Sequence, residues 1–282
     1  MKRIVIFTDL DGTLLDYSSY SFEKALPALE LLREKKIPLV ICSSKTRKEI
    51  EHYRKKLDNR HPFVSENGGG IFIPKGYFES ALQTALPSPP KGEERVCIEE
   101  GDYLMIRLGA PYAALRKAVE ELRSEGFPLR GFGDMTAGEL AGIARMTLDE
   151  AVMAQERDFD EPFLFEGDES EVRALLAAIV AKGFRHTRGR FFHIIGNSDK
   201  GKAVDVLADL YRREFGEIVT IAAGDNLNDL PMLERADYPV VVRKADGSYE
   251  PGIAIPDLIR AEGIGPEGWN KAVIDLVKTL TA

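Results

Sequence analysis

Apolar runs and polar breaks alternate along this chain in blocks that suit a strand–helix–strand succession. Ile4-Val5-Ile6-Phe7 is a short β-rich run that stops at Asp9-Leu10-Asp11-Gly12-Thr13. A run of that length closed by a glycine turn predicts a buried strand of a parallel sheet, whose carboxyl end carries ligands and catalysts. Residues 16–21 read as a loop. Ser21 opens a helix to about Lys36 that buries Leu26, Leu29, Leu31 and Leu32. Residues 37–42 are a second strand, and Ser43-Ser44-Lys45-Thr46-Arg47 leads into a helix through about Leu57. Residues 62–65 and 71–74 are strands flanking Glu66-Asn67-Gly68-Gly69-Gly70, which reads equally as a hairpin turn or a ligand-contacting turn.

Leu86-Pro87-Ser88-Pro89-Pro90-Lys91-Gly92 is a linker, and the pattern changes beyond it. A strand at 103–108, a helix at 111–124 burying Leu115, Ala118, Val119 and Leu122, and short helices at 137–144 and 148–155 come first. Strands at 162–165, 184–188 and 191–195 and a helix at 170–182 follow. The parallel pattern then resumes with a helix from Asp199 to about Glu214, a strand at 218–223 ending in Gly224-Asp225-Asn226-Leu227-Asn228-Asp229, another helix, a strand at 239–242, and a last helix at 269–280. The expectation is an α/β fold, a doubly wound parallel sheet formed by residues 1–84 and 196–282, with an inserted α/β cap at 85–195. Hinges are expected near 84–88 and 194–197.

The 282 residues carry 44% hydrophobic and 30% charged side chains, ordinary for a globular protein. The formal charge of -8 argues against a nucleic-acid partner, which needs a basic face. Cys42 and Cys97 are two cysteines without disulfide or zinc spacing, read as small buried hydrophobes. No signal segment or membrane-spanning run is read, so the expected setting is the cytosol, with no membrane partner.

Chemistry gathers at strand ends. Asp9 and Asp11 point the same way on an extended chain and repel unless a cation or proton lies between them. Asp225 and Asp229 end a second strand, and in a doubly wound sheet the two tips can meet at one rim. Clustered carboxylates make a hard oxygen site suited to Mg2+. Lys200 opens a helix from which it can offset the surplus negative charge. The Ser43 cluster reads either as an anion site at a helix N-terminus or as ordinary capping. These ingredients suit phosphoryl transfer through a carboxylate nucleophile.

In this order, DLDGT, the Ser43 cluster, Lys200 and GDNLND resemble the four motifs of the haloacid dehalogenase superfamily. The resemblance implies a Rossmann-like core, Asp9 as nucleophile and Asp11 as general acid and base. It implies Mg2+ held by the Asp9 side chain, the Asp11 carbonyl and Asp225, with Asp229 behind or acting through water. Ser43 and Lys200 then hold the phosphoryl oxygens, and Thr13 and Asn228 support them. CSSKTR, SENGGGIFIP at 65–74, RDFDEPF at 157–163, the GRFFHI stretch around Arg190 and DKGKAV at 199–204 are similar to the mannosyl-3-phosphoglycerate phosphatases.

That family implies a phosphorylated glycoside as the substrate, mannosylglycerate (a compatible solute) as the product, and a monomer or homodimer. Such a substrate brings a phosphate, a carboxylate and sugar hydroxyls. Ser44, Lys45, Glu66, Asn67, Gly68 and Gly69 are its candidate contacts on the core, and Arg190 on the cap. Arg157, Arg188 and Arg190 can each also be read as solvated surface charges, and His186 and His193 as structural or surface residues. Glucosyl-3-phosphoglycerate and sucrose or hexose phosphates are alternative substrates. A phospho-acceptor signalling module and a phosphomutase are the rival classes; a cap-sized insert and DLDGT weigh against the first.

Overall fold

The computed structural model describes residues 2–78 and 96–282. Its strands are β1 (Arg3–Thr8), β2 (Leu39–Cys42), β3 (Phe63–Ser65), β4 (Gly70–Pro74), β5 (Val96–Glu100), β6 (Tyr103–Arg107), β7 (Arg130–Gly131), β8 (Asp160–Leu164), β9 (Arg185–Arg188), β10 (Phe192–Ile195), β11 (Ile218–Gly224), β12 (Tyr238–Arg243) and β13 (Ile259–Ile264). The helices are α1 (Leu26–Glu34), α2 (Arg47–Lys56), α3 (Tyr112–Ser124), α4 (Ala137–Ala144), α5 (Leu148–Gln155), α6 (Glu169–Ala181), α7 (Lys200–Phe215), α8 (Leu230–Leu233) and α9 (Pro266–Thr281).

The larger sheet runs β13-β12-β11-β1-β2-β3-β4-β6-β5. Its first six strands are parallel, and the last three pairings are antiparallel. Side chains of β1 alternate between two buried faces, as period-two geometry requires when both are covered. Ile4 and Ile6 pack with α1, α2 and α9 through Leu29, Leu32, Tyr53, Trp269 and Val273. Val5 and Phe7 pack with α7 and α8 through Leu207, Tyr211, Met232 and Leu233. The chain winds from β1 to β2 and β3 on one side, and returns to β11 on the other. The topological switch therefore falls between β1 and β11, where a doubly wound sheet opens its ligand crevice.

A four-stranded sheet, β7-β8-β10-β9, forms the inserted unit. Phe163 and Ile194 on one face pack under α3 and α6 with Leu115, Val119, Leu175 and Ile179. The alternate residues Asp160 and His193 belong to the opposite face. Helices α4 and α5 make a small separate cluster with Phe132 and Met135.

Three findings differ from the pattern reading. Strand β6, expected in the cap, pairs with β4 in the larger sheet, and β5 adds outside it. Described crossings between the units are thus 108–111, after β6, and 196–199, before α7. The linker at 86–92, the expected boundary at 84/85 and the hinge near 84–88 lie outside the described residues. Cys97 is exposed rather than buried, because β5 is an edge strand; Cys42 is buried. Edge strand β13 carries the polar sequence IRAEGI and offers no apolar run to read. No helix among the described residues is long and apolar enough to cross a membrane.

Candidate active site

Parallel pairing of β1 with β11 sets Thr8 beside Ala223, and the Asp9 amide donates to the Ala223 carbonyl at 2.9 Å. The chains then leave the sheet together, which brings Asp9 next to the loop of Asp225 and Asp229. Gly12 makes this possible: its φ is +79°, and a Cβ there would lie 2.9 Å from Asp225 Oδ2. Thr13 Oγ1 donates to Asp225 Oδ1 at 3.3 Å. Asp229 closes its own loop, accepting at Oδ2 from the amides of Asp225 and Asn226, both at 3.0 Å.

Lys200, wholly buried at the first position of α7, donates to Asp9 Oδ1 at 2.7 Å and to Asp229 Oδ1 at 2.6 Å. Burial pushes the Asp9 carboxyl up to about 7, with Lys200 opposing and Asp229 and Asp11 adding to the rise. Burial likewise raises Asp225 well above the carboxylate range, and Asp229 and Asp9 add to it. For Lys200, burial works against the cation, but the two aspartates outweigh it and raise its pKa. Oxygens of Asp9, Asp225 and Asp229 all lie within 4.8 Å of one another, so this group can hold a metal ion. Once ionised, three carboxylates against one ammonium leave two negative charges in this buried site, and every donor is a hard oxygen. That donor set fits a divalent cation of the Mg2+ type and offers nothing to a soft metal.

Asp11 faces another way. Its Oδ2 stands 3.1 Å from Lys45 Nζ, and Lys45 in turn meets Glu49 Oε1 at 3.2 Å. Asp11 Oδ1 is buried without a hydrogen-bond partner among the described residues, while 35% of the side chain is exposed. Burial raises the Asp11 pKa, and Lys45 pulls against that rise. Lys45 itself is raised well above its ordinary value, since Asp11 and Glu49 outweigh its burial.

Both readings of the Ser43 cluster have a residue. Thr46 caps α2 in a reciprocal pair with Glu49, accepting from the Glu49 amide at 3.2 Å while Glu49 accepts from the Thr46 amide at 2.9 Å. Ser43, buried at the tip of β2, accepts from the Lys45 amide at 3.2 Å. The Ser44 carbonyl accepts from Arg157 Nη1 at 2.9 Å.

The glycine turn is a hairpin between β3 and β4. Glu66, Asn67 and Gly68 all lie at positive φ (48°, 54° and 92°). A Cβ on Gly68 would sit 2.1 Å from the Asp199 carbonyl oxygen, so the turn packs directly on the start of α7. Glu66 is wholly buried and accepts from the Asp158 and Phe159 amides, the latter at 2.7 Å; burial pushes its pKa up to about 8. Gly69 lies against Phe159, and its carbonyl accepts from Leu108 and Gly109. Glu66, Gly68 and Gly69, expected at the substrate, join the turn to the rest of the molecule in this structure. Asn67 donates to Asp160 Oδ2 at 2.7 Å and accepts from Asn228 at 3.2 Å, a polar chain from the inserted sheet to the loop of Asp229.

A cavity of about 70 Å3 separates Asp11, Tyr20, Ser44, Lys45 and Glu49 of the core from Phe132, Met146, Arg157, Arg190, Phe191 and His193 opposite. A groove of about 380 Å3 adjoins it, sharing Tyr20 and Arg190. Arg190 donates to the Ala144 carbonyl at 2.6 Å and the Ile143 carbonyl at 3.3 Å, which caps the end of α4. Arg157 is buried, not a surface charge, whereas Arg188 and His186 are exposed. Pattern reading missed Tyr20, Glu49 and Asp160, and gave His193 no partner. RDFDEPF was the available signal for Asp160, but its pairing with His193 depends on the antiparallel register of β8 and β10.

Comparison with known proteins agrees with this fold. A solved structure from Thermoplasma acidophilum superposes with a TM-score of 0.66 at 18% identity, covering 98% of this chain and 99% of that one. A haloalkanoate-superfamily phosphatase from Bacteroides thetaiotaomicron gives 0.63 at 19%, covering 98% and 96%. These define the fold. The haloacid dehalogenase-like hydrolase family matches residues 6–85 and 164–249. A glucosyl-3-phosphoglycerate/mannosyl-3-phosphoglycerate phosphatase of Methanococcoides burtonii is 46% identical over 98% of both chains. A mannosyl-3-phosphoglycerate phosphatase of Pyrococcus furiosus is 38% identical, over 84% of this chain and 90% of its own. The chain belongs to the haloacid dehalogenase-like hydrolases and, within them, to the mannosyl-3-phosphoglycerate phosphatase family; it is an enzyme of that hydrolase class.

Proposed function

We propose that this enzyme removes phosphate from mannosyl-3-phosphoglycerate, or from its glucosyl counterpart, through an aspartyl-phosphate on Asp9. The observation that carries it is the convergence of Asp9, Asp225, Asp229 and Lys200 at the β1–β11 switch, with Asp11 two residues on. The names of the full-length relatives supply both sugars.

In this reading an Asp9 oxygen attacks phosphorus as the bond from phosphorus to the glycerate oxygen breaks. Asp11, whose orphaned Oδ1 is a place for a proton, delivers that proton to the departing oxygen. A water then attacks the phosphoryl group, Asp11 takes its proton, and Asp9 is released as carboxylate. Lys200 opposes the rise in the Asp9 pKa and, with Ser43, holds phosphoryl oxygens. Asp9, Asp225 and the Asp11 carbonyl would hold Mg2+, with Asp229 behind them; when bound, the ion would supply positive charge that screens nucleophile from phosphate. The 70 Å3 cavity lies far below the ~300–1,000 Å3 of ordinary ligand pockets, so its two walls part to admit the substrate.

The test is phosphate release from mannosyl-3-phosphoglycerate, glucosyl-3-phosphoglycerate, sucrose phosphate and hexose phosphates, with Mg2+ and with EDTA. The expected result is Mg2+-dependent preference for the two glycerates. Preference for a neutral sugar phosphate overturns the substrate, and full turnover in Asp9→Asn overturns the mechanism.

A further inference from the structure

We infer that Arg157 and His193 form a carboxylate-binding subsite for the leaving group, on the wall of the cavity facing Asp11. This rests on the functional reading above and names the part of the substrate that these residues recognise.

The side is set by Asp11. The cavity begins at Asp11, Ser44 and Lys45 and does not reach Asp9. A group that takes its proton from Asp11 therefore departs into this cavity.

Arg157 is committed to the wall but not saturated. It is only 9% exposed, and its hydrogen bonds go to neutral carbonyls: Nε to Ala154 and Nη1 to Ser44, both at 2.9 Å. The carboxylates of Glu49 and Asp160 pair with it only at 4.0 Å, outside hydrogen-bond reach. A buried guanidinium ordinarily takes a close anionic partner, and its planar fork suits a carboxylate. Here the fork is held in place by neutral groups and keeps donors for an incoming anion.

His193 stands beside it, 5% exposed. Its Nδ1 lies 2.9 Å from both oxygens of the buried Asp160, which Asn67 also holds. An imidazole bonded to a carboxylate at Nδ1 has its tautomer and orientation set by that bond, and Nε2 is left for the cavity that the ring lines. With a proton on each ring nitrogen, His193 bonds Asp160 through Nδ1 and donates to an anion through Nε2. Lys45, Arg157 and Arg190 line the same space as Asp11 and Glu49, with Asp160 behind His193.

The test compares kcat/KM for mannosyl-3-phosphoglycerate and for its glycerate amide, which lacks the carboxylate charge, in wild type, Arg157→Gln and His193→Asn. Wild type is expected to prefer the acid. Each variant is expected to lower the acid-to-amide ratio by ~10- to 100-fold, the range of one charged hydrogen bond. His193→Asn keeps the test open if Arg157→Gln fails to fold. A fall of equal size on both compounds means a structural role and overturns the inference, as do equal wild-type rates on acid and amide. A wild type that dephosphorylates neutral sugar phosphates and neither glycerate compound overturns the functional reading, and this subsite with it.

Discussion

Lys200 Nζ stands 2.7 Å from Asp9 Oδ1, in a site where neither residue has appreciable contact with water. The pair joins positions 191 residues apart and is the single buried ammonium available to three buried carboxylates among the described residues. Replacing Lys200 by Met leaves those carboxylates without their counter-charge. Loss of one partner of a buried ion pair costs ~3–5 kcal/mol. We expect a large fall in Tm in EDTA, partly restored by saturating Mg2+, and loss of phosphate release in both conditions.

Stability of the metal-free protein is expected to depend on pH through Asp9. Its folded pKa is about 7 against 3.8 for the free side chain, with burial as the first cause. The folded state then binds a proton that the unfolded chain has released, so Asp9 contributes stability below pH 3.8 that is lost as pH rises toward 7. Thermal melts in EDTA from acid to neutral pH should show that decline, and Asp9→Asn should lessen its slope, the remainder coming from Asp225, Asp11 and Glu66, which burial also raises. An unchanged slope in the variant contradicts the assignment.

Asp225 and Thr13 offer a binding test that needs no turnover. Asp225→Asn removes one of three carboxylates around the cation site. We expect Mg2+ to raise the Tm of wild type by mass action. The variant should need at least ~10-fold more Mg2+ for the same shift, as a change of ~1.4 kcal/mol implies. Thr13→Val, which removes only the hydroxyl bonded to Asp225, should lie between them.

Lys45 holds Asp11 from rising further. In Lys45→Met the acid should keep its proton to higher pH, and the alkaline limb of the kcat profile should move upward in pH. A profile that keeps its limb while kcat falls would instead make Lys45 a substrate contact alone.

Gly196 tests the crossing. A Cβ there would lie 2.3 Å from the Ala110 amide nitrogen, in the other crossing segment. Gly196→Ala should force the two segments apart. The expected signature is a fall in kcat under saturation with single-turnover phosphorylation of Asp9 less affected, measured by rapid quench.

Much of this arrangement was legible in the pattern of residues. The apolar runs before Asp9 and Gly224 are buried on both faces, so each stands out as a continuous block ending in acid. Parallel neighbours in a doubly wound sheet bring such endings together, and the meeting of Asp9, Asp225 and Lys200 followed from that rule. What stayed hidden depends on antiparallel register and on tertiary pairing. Nothing local tells that Tyr103–Arg107 joins β4, or that Asp160 lies under His193 from a strand 33 residues away. Gly68 was legible as a special position, since a glycine there permits the left-handed turn of Glu66-Asn67-Gly68. Its purpose, packing on α7 and on Phe159, was not.

The crossings at 108–111 and 196–199 lie side by side, with Gly196 against Ala110 and Gly109 against Gly69 and Phe159. A lid attached along a single edge swings like a door, and its free edge must push solvent aside each time it moves. Viscogens such as sucrose or glycerol should therefore slow steady-state turnover more than they slow the chemistry on Asp9.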